Sequence, residues 1–144
     1  MEYRKMEKLG ISTSLLGFGC MRFPTNADGS INEEEALAMI DKAYQSGVTY
    51  FDTAYPYHGG KSEEVTGKAL ARYPRDSYYL ATKLPIWEVK SVADAERIFQ
   101  EQLKRLQKDY VDFYLMHALD AESWNTVKEF DLLGYCLLYT SDAA

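Results

Sequence analysis

The chain has 144 residues, of which 47% are hydrophobic and 26% charged, and its formal net charge is -6. This length and composition fit one globular domain with a buried core. The acidic balance argues against nucleic acid or an anionic membrane surface as a general partner, because both attract a cationic surface. We therefore expect neither as a partner.

The cysteines are Cys20 and Cys136, and they form no CxxC pair. Two isolated thiols predict neither a disulfide framework nor a metal site. The sequence shows no signal-peptide pattern and no apolar run long enough to cross a bilayer. We expect a cytoplasmic protein with no bound metal ion.

The first predicted elements are a hairpin over residues 3–14 and a buried strand within the apolar run 15–21. Gly10 is placed to turn the hairpin, because glycine readily adopts a positive φ. Asn32 and Glu35 have the spacing of a capping box and predict the start of the first helix.

Three further strands are predicted, and each ends in a titratable side chain: Asp52, Lys83 and His117. Strands alternating with helices imply parallel pairing through right-handed crossovers. A doubly wound sheet fits this rhythm too, but residues 17–19 lack the third glycine of a dinucleotide-binding turn. A (β/α)8 barrel is favoured, because barrel enzymes place their chemistry at the carboxyl ends of several strands. The strands are predicted at 48–51, 78–82 and 111–116. Ser62 and Ser91 are predicted to cap the second and third helices, and a fourth helix is predicted over 121–133.

Four of the polar side chains suit the protonation of a carbonyl oxygen. Tyr57 lies in a loop five residues after Asp52, so the barrel would bring it to the same mouth as Lys83 and His117. A tyrosine hydroxyl is a weak acid near neutrality, and a nearby ammonium group stabilises the phenolate that proton donation leaves. Asp52 can hold Lys83 charged, and a neutral His117 can donate a hydrogen bond to the substrate oxygen.

At this point the chain resembles the aldo/keto reductase family. The matching stretches are LGFGCMR at residues 16–22, DTAYPY at 52–57 followed by Ser62 and Glu63, ATK at 81–83 and DFYLMH at 112–117. They occur in the family's order on the expected elements. The wording of residues 52–60 is most similar to a bacterial branch that often carries a ferredoxin-like cysteine cluster downstream.

The resemblance implies an α/β fold, namely a partial (β/α)8 TIM barrel with an N-terminal hairpin and about the first four βα units. It implies reduction of a small-molecule aldehyde or ketone with NADP(H), with Tyr57 as general acid and Lys83 and Asp52 as its tuning pair. His117 would orient the carbonyl, and Trp87 would line the substrate mouth. The nicotinamide end of the cofactor would lie against Gly19, Cys20, Met21 and Asp52, and its adenosine phosphate would be held by the later strands and loops of the barrel.

Two other functions fit the same residues. One is a non-catalytic subunit of this fold that binds NADPH and senses its redox state. The other is a barrel aldolase with Lys83 as Schiff-base nucleophile, although such a lysine is usually neutral and a carboxylate neighbour works against that.

We predict that residues 1–135 are the N-terminal half of the barrel. Residues 136–144 match the translation of a transposase adapter used in sequencing libraries, which predicts a non-native tail; a natural strand over 135–140 is the alternative. A half barrel would have unpaired strand edges, so we expect the fragment to be inactive by itself and to self-associate.

Overall fold

The structure is a computed structural model that describes the backbone of residues 1–141 and the side chains of residues 1–137. An N-terminal hairpin precedes a four-stranded parallel sheet in the order β3-β4-β5-β6, with α1, α2 and α3 as the crossovers between its strands. The partial barrel is therefore confirmed. The strands are β1 (Tyr3–Met6), β2 (Ile11–Ser14), β3 (Phe18–Gly19), β4 (Tyr50–Asp52), β5 (Tyr79–Leu84) and β6 (Phe113–Met116); the helices are α1 (Glu33–Gln45), α2 (Lys61–Leu70), α3 (Val92–Leu106), α4 (Ser123–Glu129) and α5 (Leu132–Ser141).

The hairpin forms as predicted, with β1 antiparallel to β2 and Gly10 at a φ of 66°. The predicted buried strand over 15–21 is wrong in extent. Only Phe18 and Gly19 pair with β4, while Leu15 and Leu16 are 50% and 61% exposed.

Side-chain capping explains where two of the helices begin. The Oδ1 atom of Asn32 accepts a hydrogen bond from the backbone N–H of Glu35 at 3.2 Å, and Ser91 caps α3 in the same way. Such caps satisfy backbone donors that the first helical turn leaves free. The predicted cap at Ser62 is wrong, because α2 begins one residue earlier, after Gly60 in the left-handed conformation.

Two apolar clusters hold the helices against the outer face of the sheet. Ile40, Phe51 and Leu80 are fully buried in the first, and Leu84 and Ile98 in the second. Each such side chain contributes about 1.5–3 kcal/mol relative to leaving it in water. The buried stripe of α3 comprises Ala95, Ile98, Gln102 and Leu106, while Val92 is exposed.

The opposite, inner face of the sheet carries an inner aromatic cluster formed by Tyr50, Tyr79 and Phe113. The ring of Phe113 lies 5.3 Å from that of Tyr50 and 6.2 Å from that of Tyr79, centroid to centroid. These rings lie two to four residues before Asp52, Lys83 and His117 along the chain. They therefore form an aromatic layer beneath the polar side chains at the edge of the sheet.

The C-terminal part of the chain forms two helices where one was predicted over 121–133. The chain turns between α4 and α5 at Asp131, which has a positive φ of 46°. Residues 136–141 continue α5, so the alternative strand over 135–140 does not form. Residues 142–144 of the predicted tail lie outside the described residues, and its non-native origin stays a prediction.

Within residues 1–141, none of the helices has the length and apolarity that a bilayer crossing requires.

Candidate active site

Parallel strand pairing brings the predicted site residues to one edge of the sheet. Asp52 pairs with Ala81, and Lys83 pairs with Leu115, two residues before His117. The carboxyl ends of β4, β5 and β6 therefore lie side by side, and the backbone N–H of His117 still donates to the carbonyl of Leu84. The strand register thus places a carboxylate, an ammonium group and an imidazole at the same rim.

The ammonium group of Lys83 is the hub of the site. Its Nζ atom donates to Oδ1 of Asp52 at 2.6 Å and to the carbonyl oxygen of Thr53 at 2.7 Å. It also lies 3.3 Å from the hydroxyl oxygen of Tyr57 and 4.8 Å from the centre of that ring. The Lys83 side chain is only 14% exposed. Little water therefore screens the charge that lies beside the phenol oxygen.

Tyr57 is presented by a tight turn over Tyr57–Gly60, in which His58, Gly59 and Gly60 all have positive φ values. The turn is anchored from outside, since Nε2 of His58 accepts a hydrogen bond from the backbone N–H of Phe23 at 3.1 Å. The ring of His58 also stacks on that of Phe23. These contacts hold the phenol over the strand ends.

His117 faces the ring of Tyr57, with centroids 5.6 Å apart in an edge-to-face arrangement. Burial lowers the pKa of His117 below its ordinary value, the charge of Lys83 lowers it further, and the carboxylate of Asp52 opposes the shift. Its Nδ1 atom is buried and has no hydrogen-bond partner among the described residues. The site therefore favours the neutral imidazole, which can donate one hydrogen bond.

Of the residues predicted to contact a cofactor, Gly19 and Met21 are exposed while Cys20 is fully buried. The backbone N–H of Cys20 donates to the carbonyl of Asp52 at 2.8 Å, and its own carbonyl accepts from Oγ of Ser62. Burial raises the pKa of the Cys20 thiol to about 12, as expected of a small apolar core residue. The backbone of Cys20 thus attaches this segment to β4, while Gly19 and Met21 on either side stay exposed to solvent.

Trp87 lies at the rim beside His117, and its contact with a substrate stays a prediction. Its ring is 5.1 Å from that of His117, and the residue is 56% exposed. Trp87 and Ile86 line an open cleft of about 370 Å³ together with Ala118, Asp120 and residues of the following segment. An apolar wall beside the imidazole is suited to the body of a small organic molecule.

Several groups of the site were missed by sequence reasoning. The carbonyl of Thr53 binds Lys83, but a backbone oxygen leaves no trace in residue identity. Glu63 was given no role at the site, although it belongs to the family motif that follows residue 57. It is fully buried and is bonded to Thr82 and Gln102. The signal that could have found it is that Gln102 falls on the buried stripe of α3, where a polar residue needs a partner.

This arrangement can donate a proton to an oxyanion. The cation at Lys83 stabilises the phenolate that Tyr57 would become, and Asp52 and Thr53 fix that cation from the other side. Among the described residues, no group of histidines, cysteines and carboxylates is placed to hold a metal ion.

Comparison with known sequences gives the family directly. The model of the aldo/keto reductase family matches residues 15–135. The aldo-keto reductase YhdN of Bacillus subtilis is 38% identical over 128 residues, covering 83% of this chain and 39% of that protein. The L-galactose dehydrogenase of Arabidopsis thaliana is 36% identical over 128 residues, covering 85% of this chain and 39% of that protein. The chain thus spans less than half the length of these curated relatives.

Solved structures agree. The thermostable aldo-keto reductase Tm1743, in complex with the inhibitor epalrestat, superposes with a TM-score of 0.73 and 29% identity, covering 90% of this chain and 49% of that one. The Klebsiella pneumoniae aldo-keto reductase in complex with NADPH gives a TM-score of 0.67 and 28% identity, covering 84% and 42%. The family model matches most of the chain, and its partial barrel superposes on about half of each of these structures. The chain therefore belongs to the aldo/keto reductase family.

Proposed function

We propose that the complete protein containing this chain reduces an aldehyde or ketone with NADPH, with Tyr57 as general acid. The observation that carries the proposal is the position of the Lys83 Nζ atom, 2.6 Å from a carboxylate oxygen of Asp52 and 3.3 Å from the Tyr57 hydroxyl. A phenol beside a fixed cation is a group built to release a proton. Neutral His117 donates a hydrogen bond that orients the substrate oxygen.

The cofactor proposal rests on the open side of the same rim. A Cβ built on Gly19 would meet nothing within 4 Å, Met21 is 45% exposed, and the Asp52 side chain is 30% exposed. These residues leave room for a flat ring beside Tyr57, and we assign the nicotinamide to this space. When bound, the cofactor would supply hydride to the carbonyl carbon, and Tyr57 would donate the proton to the carbonyl oxygen. A Klebsiella pneumoniae neighbour was solved with NADPH, which supports this choice of nucleotide.

The pairing of Lys83 bears on the aldolase alternative. A Schiff-base lysine has to be neutral to attack a carbonyl, and the hydrogen bond to Asp52 favours the charged ammonium. The same pairing is what a phenolic acid requires. The observation therefore favours carbonyl reduction over imine chemistry.

The test is Tyr57→Phe in the complete protein, with Tyr55→Phe as matched control. Tyr55 lies in the same loop, but its hydroxyl donates to Glu101, outside the site. Tyr57→Phe should lower kcat for aldehyde reduction by roughly 100-fold or more while leaving the Kd for NADPH unchanged. The control should keep most activity. Unchanged turnover in Tyr57→Phe would remove the residue from the acid role, and NADPH binding without any carbonyl turnover in the unsubstituted protein would favour the sensing subunit.

We also propose that the 144-residue chain is inactive without the rest of the barrel. The family resemblance assigns the cofactor's adenosine phosphate to later strands and loops, which would follow residue 135. Adding NADPH and aldehyde to the isolated chain should give no turnover, and measurable reduction would contradict this.

A further inference from the structure

We propose that Glu63 is a positioning residue for this site, and that its buried carboxylate ties the Tyr57 loop and the Lys83 strand to helix α3. The inference rests on the function proposed above and extends it to a group that does not touch the substrate. Glu63 lies in the first turn of the helix that directly follows the Tyr57 turn, and it is fully buried.

The carboxylate collects donors from two other elements. Oε1 of Glu63 accepts from the Thr82 hydroxyl on β5 at 2.7 Å and from the Gln102 amide on α3 at 2.9 Å. Thr82 is the residue before Lys83, and the same Gln102 nitrogen donates to the carbonyl of Lys83 at 3.0 Å. The backbone from which the ammonium group extends is therefore fixed by an amide that Glu63 orients.

The orientation of Gln102 is determined by its neighbours. Its Oε1 atom accepts from the Tyr114 hydroxyl at 2.8 Å, and its Nε2 atom faces the oxygens of Glu63 and Lys83. If the amide were reversed, its oxygen would face two acceptors. The substitution Glu63→Gln would remove the charge that favours the present orientation, and the N–H₂ group it introduces would have to face donors.

The second oxygen of Glu63 extends the network to the Tyr57 loop. Nη1 of Arg105 lies 3.4 Å from Oε2 of Glu63 and donates to the carbonyl of Tyr55 at 3.3 Å. The guanidinium also lies over the Tyr55 ring, 4.2 Å from its centre. Arg105 thus holds the loop two residues before Tyr57, and it is itself held by Glu63 together with the closer Glu101.

Stability alone does not account for a carboxylate in this place. Burial raises the pKa of Glu63 above its ordinary value, while hydrogen bonds from Thr82 and Gln102 and the charge of Arg105 oppose the shift. Because the folded pKa is raised, the associated stabilisation is present below the ordinary glutamate pKa and is lost as pH rises through the folded value. Burial therefore disfavours the charged form, and it is the contacts of the carboxylate that indicate a positional role.

The experiment compares Glu63→Gln with Glu64→Gln in the complete protein. Glu64 is the next residue, is exposed and pairs with Lys61 at the surface. With NADPH and 4-nitrobenzaldehyde, Glu63→Gln should lower kcat roughly 10- to 100-fold, as expected for a small misplacement of a catalytic group, with KM and the Kd for NADPH within about twofold. Glu64→Gln should retain the unsubstituted kcat.

A second readout does not depend on activity. The Lys83 ammonium resonance, identified by its loss in Lys83→Arg, should shift in Glu63→Gln and stay in place in Glu64→Gln. If Tyr57→Phe keeps full activity, the proposed reaction fails, and the Lys83 resonance still decides the positioning role. If Glu63→Gln does not fold, Gln102→Met carries the same two measurements, because it removes the amide that joins the carboxylate to Lys83.

The proposal is overturned by any of three results. These are a kcat for Glu63→Gln within twofold of the unsubstituted protein, an unmoved Lys83 resonance, or an equal loss in Glu64→Gln. Failure of both Glu63→Gln and Gln102→Met to fold while Glu64→Gln folds would assign the network to structure alone.

Discussion

Two lysine–carboxylate pairs in the chain have similar geometry and very different surroundings. Nζ of Lys83 lies 2.6 Å from Asp52, where the side chains are 14% and 30% exposed. Nζ of Lys61 lies 2.9 Å from Glu64, where they are 65% and 47% exposed. We predict that the first pair couples more strongly than the second, because solvent screens the second.

The expected magnitudes follow from that burial. Breaking a fully buried pair costs about 3–5 kcal/mol, and exposed pairs couple by about 0.2–1 kcal/mol. Asp52 retains some contact with water, so its coupling with Lys83 should be about 1–2 kcal/mol, between these limits. The helical pair of Lys61 and Glu64 should couple by about 0.5 kcal/mol or less.

Double-mutant cycles measure both couplings as differences in the free energy of unfolding. One cycle combines Asp52→Asn with Lys83→Met, and the control cycle combines Glu64→Gln with Lys61→Met. Urea denaturation is followed by tryptophan fluorescence at low salt and repeated in about 1 M NaCl, which should remove most of the control coupling. Equal coupling in the two cycles would refute the view that Asp52 holds the ammonium in a partly desolvated site.

Three further results are expected. The two histidine resonances should show that His117 titrates below its ordinary pKa, and Lys83→Met should raise that pKa; an unchanged value would remove the lysine as a cause. Because the folded pKa is lowered, the unfolded chain takes up protons first, so the free energy of unfolding should decrease as pH falls through about 6.5. Gly67→Ala should cost about 2–4 kcal/mol in denaturation, since its Cβ would lie 2.3 Å from the backbone oxygen of Leu106, whereas Gly19→Ala meets open space and should be nearly neutral. Light scattering of the 144-residue chain should give a mass above 16.5 kDa through the outer edges of β3 and β6, and a compact folded monomer would contradict this.

Sequence patterns correctly predicted those features that depend only on residues close together in the chain. The caps at Asn32 and Ser91 were predicted because each side chain bonds to a backbone N–H three residues away. Ser62 has the same residue type, but its hydroxyl bonds to the carbonyl of Cys20 and lies 2.9 Å from the Thr53 hydroxyl. Those partners are distant in sequence or outside the helix, so no local pattern could distinguish Ser62 from a cap.

The candidate active site shows the same distinction between features that sequence patterns predict and features that depend on the assembled fold. Asp52, Lys83 and His117 could be grouped from the sequence, because parallel strands bring their carboxyl ends to one edge. The packing beneath them could not be predicted. Glu63 lies beside Glu64 in the sequence, yet one is buried against three partners and the other is solvated. That difference depends on where α3 places its side chains, which only the assembled fold determines.

The inner aromatic cluster makes the geometry of the candidate site and the folding of the sheet depend on the same alignment of strands. Tyr50 precedes Asp52 by two residues, and Phe113 precedes His117 by four. Sliding β4 by two residues, about 6.6 Å, would keep its side chains on the correct face and still put the ring of Tyr50 where the carboxylate of Asp52 belongs. Such a misaligned sheet would have nearly the same secondary-structure content as the native one. It would nonetheless bury a charged group among aromatic rings. The misaligned sheet would therefore be less stable than the native one, in addition to lacking the arrangement of the candidate site.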